Sequence, residues 1–200
     1  LAVSFPKPNS PVSTIYVSRN SLVDGQPADI VAEPNTQTIE LVHLGTAITG
    51  TDLRIAAKNG DALIENIIGR VLIRGENVTK GYYAEPALNT KLISDDGWLD
   101  TGDQGLFNQG QLVITGRTKD LIIVNGQNYY APDLEAVCEQ VEGIELGKVI
   151  VCGVTNPQES IDELVIFVLF RGQLEEFYKT TIQIRRQIGE KAGLDVAHVF

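Results

Sequence analysis

The chain has 200 residues, 43% of them hydrophobic, enough to bury one large core or two small ones. Its formal net charge of −10 argues against a nucleic-acid backbone as partner, which would call for clustered Lys and Arg. The longest apolar run, Leu164–Phe170, is far short of the ~20 residues a membrane helix needs, and no basic stretch followed by an apolar run opens the chain, so neither a membrane span nor a signal peptide is expected. There is no methionine and the chain starts at Leu1, which points to a processed or excised piece. Cys138 and Cys152 are the only cysteines. Two thiols with neither a disulfide framework nor a CxxC metal spacing suit a reducing cytoplasm.

In chain order, Pro6, Pro8 and Pro11 exclude an early helix and lead into a β-prone run, Val12–Val17. A polar loop over Gln26–Thr38 follows. Short β-like runs come next at Glu40–Leu44, Asp52–Ala57 and Arg70–Arg74, punctuated by Gly45, Gly50, Gly60 and Gly69. That pattern predicts a small barrel or meander and not a βαβ unit. Pro86 stands at the start of a short helix, Ala87–Leu92. Ser94–Trp98 is a turn, and Asn108-Gln109-Gly110 joins a hairpin between Leu106–Phe107 and Leu112–Thr115.

After Arg117 the pattern changes. Asp120–Val124 reads as a strand. Pro132 opens a helix with Leu134, Val137, Cys138 and Val141 at helical spacing, and both cysteines are expected in the core. Lys148–Val154 and Glu163–Phe170 read as buried strands. Leu174–Leu194 is an amphipathic helix with Leu174, Phe177, Tyr178, Ile182, Ile188 and Ala192 on one side. The expected fold class is therefore α+β: a β-rich, barrel-like piece followed by a small α+β domain, with the boundary near Arg117–Asp120.

Single residues leave their chemistry open. Asp103, after Thr101-Gly102 in a glycine-permitted tight turn, either caps the turn or offers two carboxylate oxygens to the vicinal hydroxyls of a ribose. Arg117 either makes a surface salt bridge or presents a guanidinium fork to a ribose or phosphate. Lys119 and Asp120 pass as solvated charges. Asp95, Asp96, Asp100 and Asp103 cluster in sequence but do not match the EF-hand spacing, so no metal site is expected. His43 and His198 have no Cys or Ser partner in a triad order, and there is no Walker loop and no GxGxxG.

In combination these stretches say more. Gly69-Arg70-Val71-Leu72-Ile73-Arg74-Gly75 through Gly81-Tyr82-Tyr83 resembles the "GE(I/L)xVRGxxxxxGYW" segment of adenylate-forming enzymes. That superfamily comprises acyl-CoA synthetases, fatty acyl-AMP ligases and peptide-synthetase adenylation domains. Gly97-Trp98-Leu99-Asp100-Thr101-Gly102-Asp103 is similar to its "GWxxTGD", and Gly116-Arg117-Thr118-Lys119-Asp120 through Asn128 to its "GRxKDxIxxxGxN". Upstream, Leu44–Ile55 follows "GxPxxGxxxRI" with Ala47 in the proline place. The run Asp120–Glu135 is most similar to the "DLIIxxGxNxYPxDIE" of fatty acyl-AMP ligases, with Ala131 in the proline place and Pro132 one later.

The resemblance implies residues 1–117 as the C-terminal β-subdomain of a large adenylation domain and residues 118–200 as a small lid domain. It implies a ligase that uses ATP and Mg²⁺, bound mainly by segments absent here, to turn a fatty or other carboxylic acid into an acyl-adenylate and pyrophosphate. The acyl group then passes to an acyl carrier protein, or to CoA as the alternative acceptor. Asp103 and Arg117, with Asn128, would contact the AMP moiety. Lys119 would be the hinge of the lid, and Gly126–Asn128 would lie on the loop swung towards the acceptor thiol. The family's phosphate loop and catalytic lysine have no counterpart, so the 200 residues alone are expected not to adenylate. A non-catalytic partner-binding module of the same fold is the alternative of another class. Lys179, Arg185, Arg186 and Lys191 make the last helix locally basic, either as a face for an acidic carrier protein or as a solvated surface.

Overall fold

The computed structural model describes residues 3–35, 37–124, 127–156 and 161–200. The chain separates into two compact units, Leu1–Lys119 and Asp120–Phe200.

The first unit holds β1 (Ser4–Phe5), β2 (Thr14–Ser18), β3 (Ile30–Val31), β4 (Thr38–Val42), β5 (Thr46–Ala47), β6 (Thr51–Ala56), β7 (Gly69–Gly75), α1 (Pro86–Leu92), β8 (Leu99–Asn108) and β9 (Gln111–Arg117). Strands β6-β7-β8-β9 form an open antiparallel meander, β3-β2-β4 a second sheet, and β1-β5 a small pair. Of the two architectures expected, the meander is realised, and no sheet closes into a barrel among the described residues. The β8–β9 hairpin turns through Gln109 (φ 52°) and Gly110 (φ 71°). Both central residues are left-handed, the two-residue turn whose twist matches a hairpin. Gly45 has φ 81°, and a Cβ there would lie 2.0 Å from the Phe5 carbonyl carbon, so only glycine lets β5 approach β1.

Pleating divides the meander into two unlike faces. Residues 53, 55 and 71 put Leu53, Ile55 and Val71 into an apolar cluster with Leu112 and Ile114. Residues 52, 54, 70, 74 and 100 put Asp52, Arg54, Arg70, Arg74 and Asp100 on the opposite face, around Leu72 and the buried Trp98.

The second unit follows as β10 (Leu121–Val124), β11 (Gln127–Tyr130), α2 (Ala131–Cys138), β12 (Val149–Asn156), β13 (Ile161–Val168), α3 (Leu174–Ala192) and β14 (Val196–Val199). Strands β12-β13-β14 make one sheet, β13 and β14 running parallel, and β10-β11 a hairpin. The core gathers Ile122, Leu134, Cys138, Val151, Leu164, Ile166, Ile184 and Ile188. Each fully buried aliphatic contributes roughly 1.5–3 kcal/mol.

Two local expectations change in this unit. Strands β11 and β14 have no long apolar run and lie beyond the simple β-α-β-β-α reading. The buried stripe of α3 is Thr180, Ile184 and Ile188, with Phe177 and Ala192 half-buried, whereas Leu174, Tyr178 and Ile182 are exposed. The stripe follows 177, 180, 184, 188, the spacing of one helical face. Leu174 and Tyr178 lie outside it. Helix α3 opens with a reciprocal capping box between Gln173 and Glu176 and closes on Gly193 at φ 68°.

Candidate functional site

The Thr101-Gly102-Asp103 stretch is not a turn between strands but a bulge inside β8. Arg70 pairs with Gln104 and Leu72 with Asp100, so Val71 alone faces three residues of β8. Gly102 makes this possible at φ 76°. Nothing lies within 4 Å of a Cβ added there, so conformation and not space calls for glycine. The Thr101 hydroxyl donates to the Val71 carbonyl at 2.9 Å, serving an acceptor that the interrupted ladder leaves unpaired. The Asp103 N–H in turn donates to Thr101 Oγ1 at 3.1 Å.

Asp100 holds the bulge from the charged face. Its Oδ1 accepts the Gly102 N–H at 2.9 Å and its Oδ2 accepts Arg70 Nη1 at 2.8 Å. Arg70 Nη2 donates to the Ala57 and Lys58 carbonyls at 3.1 and 3.0 Å. Arg70 stands where the resembled motif has Glu, and this departure was the signal in the sequence for a pair that motif matching passed over.

A second irregularity, between Gln104 and Gly105, brings Arg117 of β9 opposite Asp103. Arg117 Nε donates to Asp103 Oδ1 at 2.8 Å, with the two side chains 55% and 27% exposed. An ion pair that open to water contributes at most about 1 kcal/mol to folding. Its atoms stay accessible to a ligand, and no described residue donates to Asp103 Oδ2.

Thr101 and Asp103 line an open groove of about 930 Å³ with Phe5, His43, Val71 and Leu112. His43 is buried, and its ring nitrogens are bonded to Ser13 Oγ at 3.0 Å and Asn108 Oδ1 at 2.8 Å. Asn108 passes its amide N–H to Asn66 Oδ1. These partners come from distant parts of the chain and fix the orientation of the ring. His198 packs against the ring of Phe200.

On the charged face the Trp98 ring meets two guanidinium groups, Arg54 at 4.1 Å and Arg74 at 4.6 Å from its centre. Arg74 also pairs with Asp52 at 2.8 Å. The Ser94 hydroxyl holds the Asp96 carboxyl below its ordinary range, with smaller help from its own backbone and the Arg54 and Arg74 charges. Asp96, Asp100 and Asp103 thus have separate partners, and no group of carboxylates, His or Cys fit to hold a metal ion occurs among the described residues.

The other sequence-predicted residues fall as follows. Lys119 is exposed in a short 3-10 turn, Thr118–Asp120, at the end of the first unit. Asn128 lies in β11 of the second unit, opposite Ile123. Asn125 and Gly126 lie outside the described residues. Three of the four basic residues of α3 have partners within the unit: Arg185 donates to the Val196 and Ala197 carbonyls, Arg186 pairs with Glu190 at 2.7 Å, and Lys191 donates to Gln140. Cys138 is fully buried, and burial, with Glu135 and Glu139 nearby, pushes its thiol up to about 12. Cys152 is only half-buried, its Sγ 3.8 Å from the Val165 carbonyl. No described helix is long and apolar enough to cross a membrane.

Known proteins resemble this arrangement over most of the chain. No family model matches. The long-chain-fatty-acid–AMP ligase FadD26 of Mycobacterium marinum is 31% identical over 182 residues, 84% of this chain and 30% of that protein. Fatty acyl-adenylate ligases from E. coli and L. pneumophila are represented by a structure with TM-score 0.81 and 29% identity, covering 100% of this chain and 36% of that one. The adenylation, ketoreductase and pseudo-Asub structure of a keto acid-selecting NRPS module superposes with TM-score 0.84 at 33% identity, over 93% of this chain and 16% of that one. The chain belongs to the adenylate-forming superfamily. It spans about 30% of the length of the curated relatives it matches. Within the superfamily frame, the Thr101–Asp103 bulge and the Arg117 strand end are the "TGD" and "GR" motifs given three-dimensional form.

Proposed function

We propose that this chain is the C-terminal portion of an ATP-dependent acyl-activating ligase of the fatty acyl-AMP ligase type. In the first step a fatty or other carboxylate oxygen attacks the α-phosphorus of ATP, the bond to the β-phosphate oxygen breaks, and pyrophosphate leaves with that electron pair. In the second step a carrier-protein thiol attacks the acyl carbon, loses its proton, and AMP departs. ATP enters as its Mg²⁺ complex, held mainly by segments outside these 200 residues.

The observation that carries this reading is the Asp103–Arg117 pair presented on a built bulge at the edge of an open groove. A carboxylate with one oxygen bonded to a guanidinium and the other free of donors among the described residues suits a vicinal diol. Oδ2 can accept one ribose hydroxyl while Oδ1 shares the second with Arg117. Arg117 offers its remaining N–H groups to ribose or phosphate oxygens. Asn128 is proposed as a further nucleotide-binding residue, by the motif it belongs to.

Residues 1–117 are proposed to end the large domain and residues 118–200 to form the lid, with Lys119 as hinge. The exposure of Lys119 in a short turn between two compact units supports that role, since a hinge needs a few residues free to change φ and ψ. Two unpaired cysteines fit a reducing cytoplasm as the working compartment.

The test is to mix the protein in its full-length context with ATP, Mg²⁺, a panel of fatty acids, CoA and an acyl carrier protein, and to identify acyl products by mass spectrometry. Acyl-adenylate passed only to the carrier protein is the expected result. Acyl-CoA would make it a CoA ligase. No acyl product from any acid, with the protein folded, would favour a partner-binding module. The 200 residues alone should give no ATP–pyrophosphate exchange.

A further inference from the structure

We infer that Arg70 and Asp100 are positioning residues for Asp103, holding the nucleotide-facing bulge from the opposite side of the sheet. The inference rests on the ribose-binding reading of Asp103 and adds to it a device that fixes the carboxylate.

Four links run in series. The Ala57 and Lys58 carbonyls fix the Arg70 guanidinium through Nη2, and Arg70 Nη1 fixes Asp100 Oδ2. Asp100 Oδ1 then accepts the N–H of Gly102, the residue whose left-handed φ creates the bulge. Asp103 follows directly, its N–H bonded to Thr101 Oγ1 and its Oδ1 to Arg117.

The Asp52–Arg74 pair across β6 and β7 takes both Arg74 nitrogens on the single oxygen Oδ2. Asp100 instead engages both of its oxygens, one for Arg70 and one for the bulge backbone. Arg70 is also held with its Nε buried and unpartnered, so the side chain is placed for what Nη1 and Nη2 reach and not for its own full hydrogen bonding. A carboxylate that must meet two ribose hydroxyls gains from such support, because small displacements of a binding group weaken its contacts.

The deciding comparison uses Asp103→Ala, Asp100→Ala, Asp100→Asn and the exchanged pair Arg70→Asp/Asp100→Arg in the full-length protein. Three quantities are read: the Kd for ATP by titration calorimetry, the hydrogen-exchange rate of the Gly102 amide, and Tm. Asp100→Ala is expected to weaken ATP about tenfold and to speed Gly102 exchange. Asp100→Asn keeps an oxygen for the Gly102 N–H and should recover part of both. The exchanged pair restores an ion pair but offers a guanidinium where the Gly102 amide needs an acceptor and a carboxylate where Ala57 and Lys58 present carbonyls, so its ATP affinity should stay low and its Gly102 exchange fast. Wild-type affinity in the exchanged pair, or Gly102 exchange unchanged in Asp100→Ala, would overturn the inference. If Asp103→Ala leaves the ATP Kd unchanged while Gly102 exchange responds as described, it is the ribose reading that fails and the support of the bulge that stands.

Discussion

The β8–β9 pair and the β12–β13 pair are both antiparallel, but they are put to opposite uses. β12 and β13 keep one register through all eight residue pairs from Val149↔Val168 to Asn156↔Ile161. Their side chains Val151, Leu164 and Ile166 go straight into the core of the second unit. β8 shifts register against each of its neighbours within six residues; the first shift frees Thr101, Gly102 and Asp103 from β7, and the second sets Asp103 opposite Arg117 of β9. A regular ladder spends its side chains on packing. An interrupted one leaves backbone and side-chain polar groups to be satisfied individually, and so can aim them.

Four measurements would break or sharpen that contrast. The largest effect is expected at Ile166→Ala, which should lose about 3–4 kcal/mol of stability by chemical denaturation, because the site is fully buried in a regular core. A loss under 1 kcal/mol would mean that the core collapses around the gap. Next in size is the alkaline limb of stability. The folded state holds the Cys138 proton up to about pH 12 against an ordinary value of 9.0. The stability it contributes is therefore complete below pH 9 and is lost as pH rises towards 12. Thermal melts of the native protein and Cys138→Ala should converge over that interval, and parallel curves would contradict it.

Gly102→Ala should cost about 1–2 kcal/mol, the price of a Cβ at positive φ, although nothing stands in its way. An unchanged Tm would show that the bulge re-forms without left-handed backbone. The smallest change is expected for Asp103→Asn, within about 1 kcal/mol in stability, because its ion pair is open to solvent. The same variant should bind ATP roughly ten times more weakly in the full-length protein. A large stability loss with unchanged ATP affinity would reverse the roles given to the two pairs of strands.

The sequence made most of the strands and helices legible because their signals are local. Pro86 and Pro132 mark helix starts, Gln109-Gly110 marks a hairpin, and the Val/Ile runs of β12 and β13 mark a buried ladder. What stayed hidden is what depends on partners far along the chain. Thr101-Gly102-Asp103 reads as a turn from its glycine and becomes a bulge only when Val71 is laid against it, 30 residues away from Thr101. His43 looks isolated until Ser13 and Asn108 reach its ring. The inner face of α3 differs from the apolar pattern because Leu174, Tyr178 and Ile182 are apolar yet lie off the buried stripe of Thr180, Ile184 and Ile188. Arg117 and Asp103 can be named from the motif, whereas the Arg70–Asp100 link shows in the sequence only as a departure from it at Arg70, its partner lying 30 residues on and across strands.

The bulge opposite Val71 adds two residues to β8, from Asp100 opposite Leu72 to Gln104 opposite Arg70. Because side chains alternate along a strand, an excess of two leaves the alternation intact. An excess of one would invert everything before it: Trp98 would leave its two arginines for the apolar cluster, and Leu99 would face the charges. The length of the bulge is thus a switch of parity: one residue more or fewer between Asp100 and Gln104 exchanges the two faces of the strand before it, whereas a change of two keeps them.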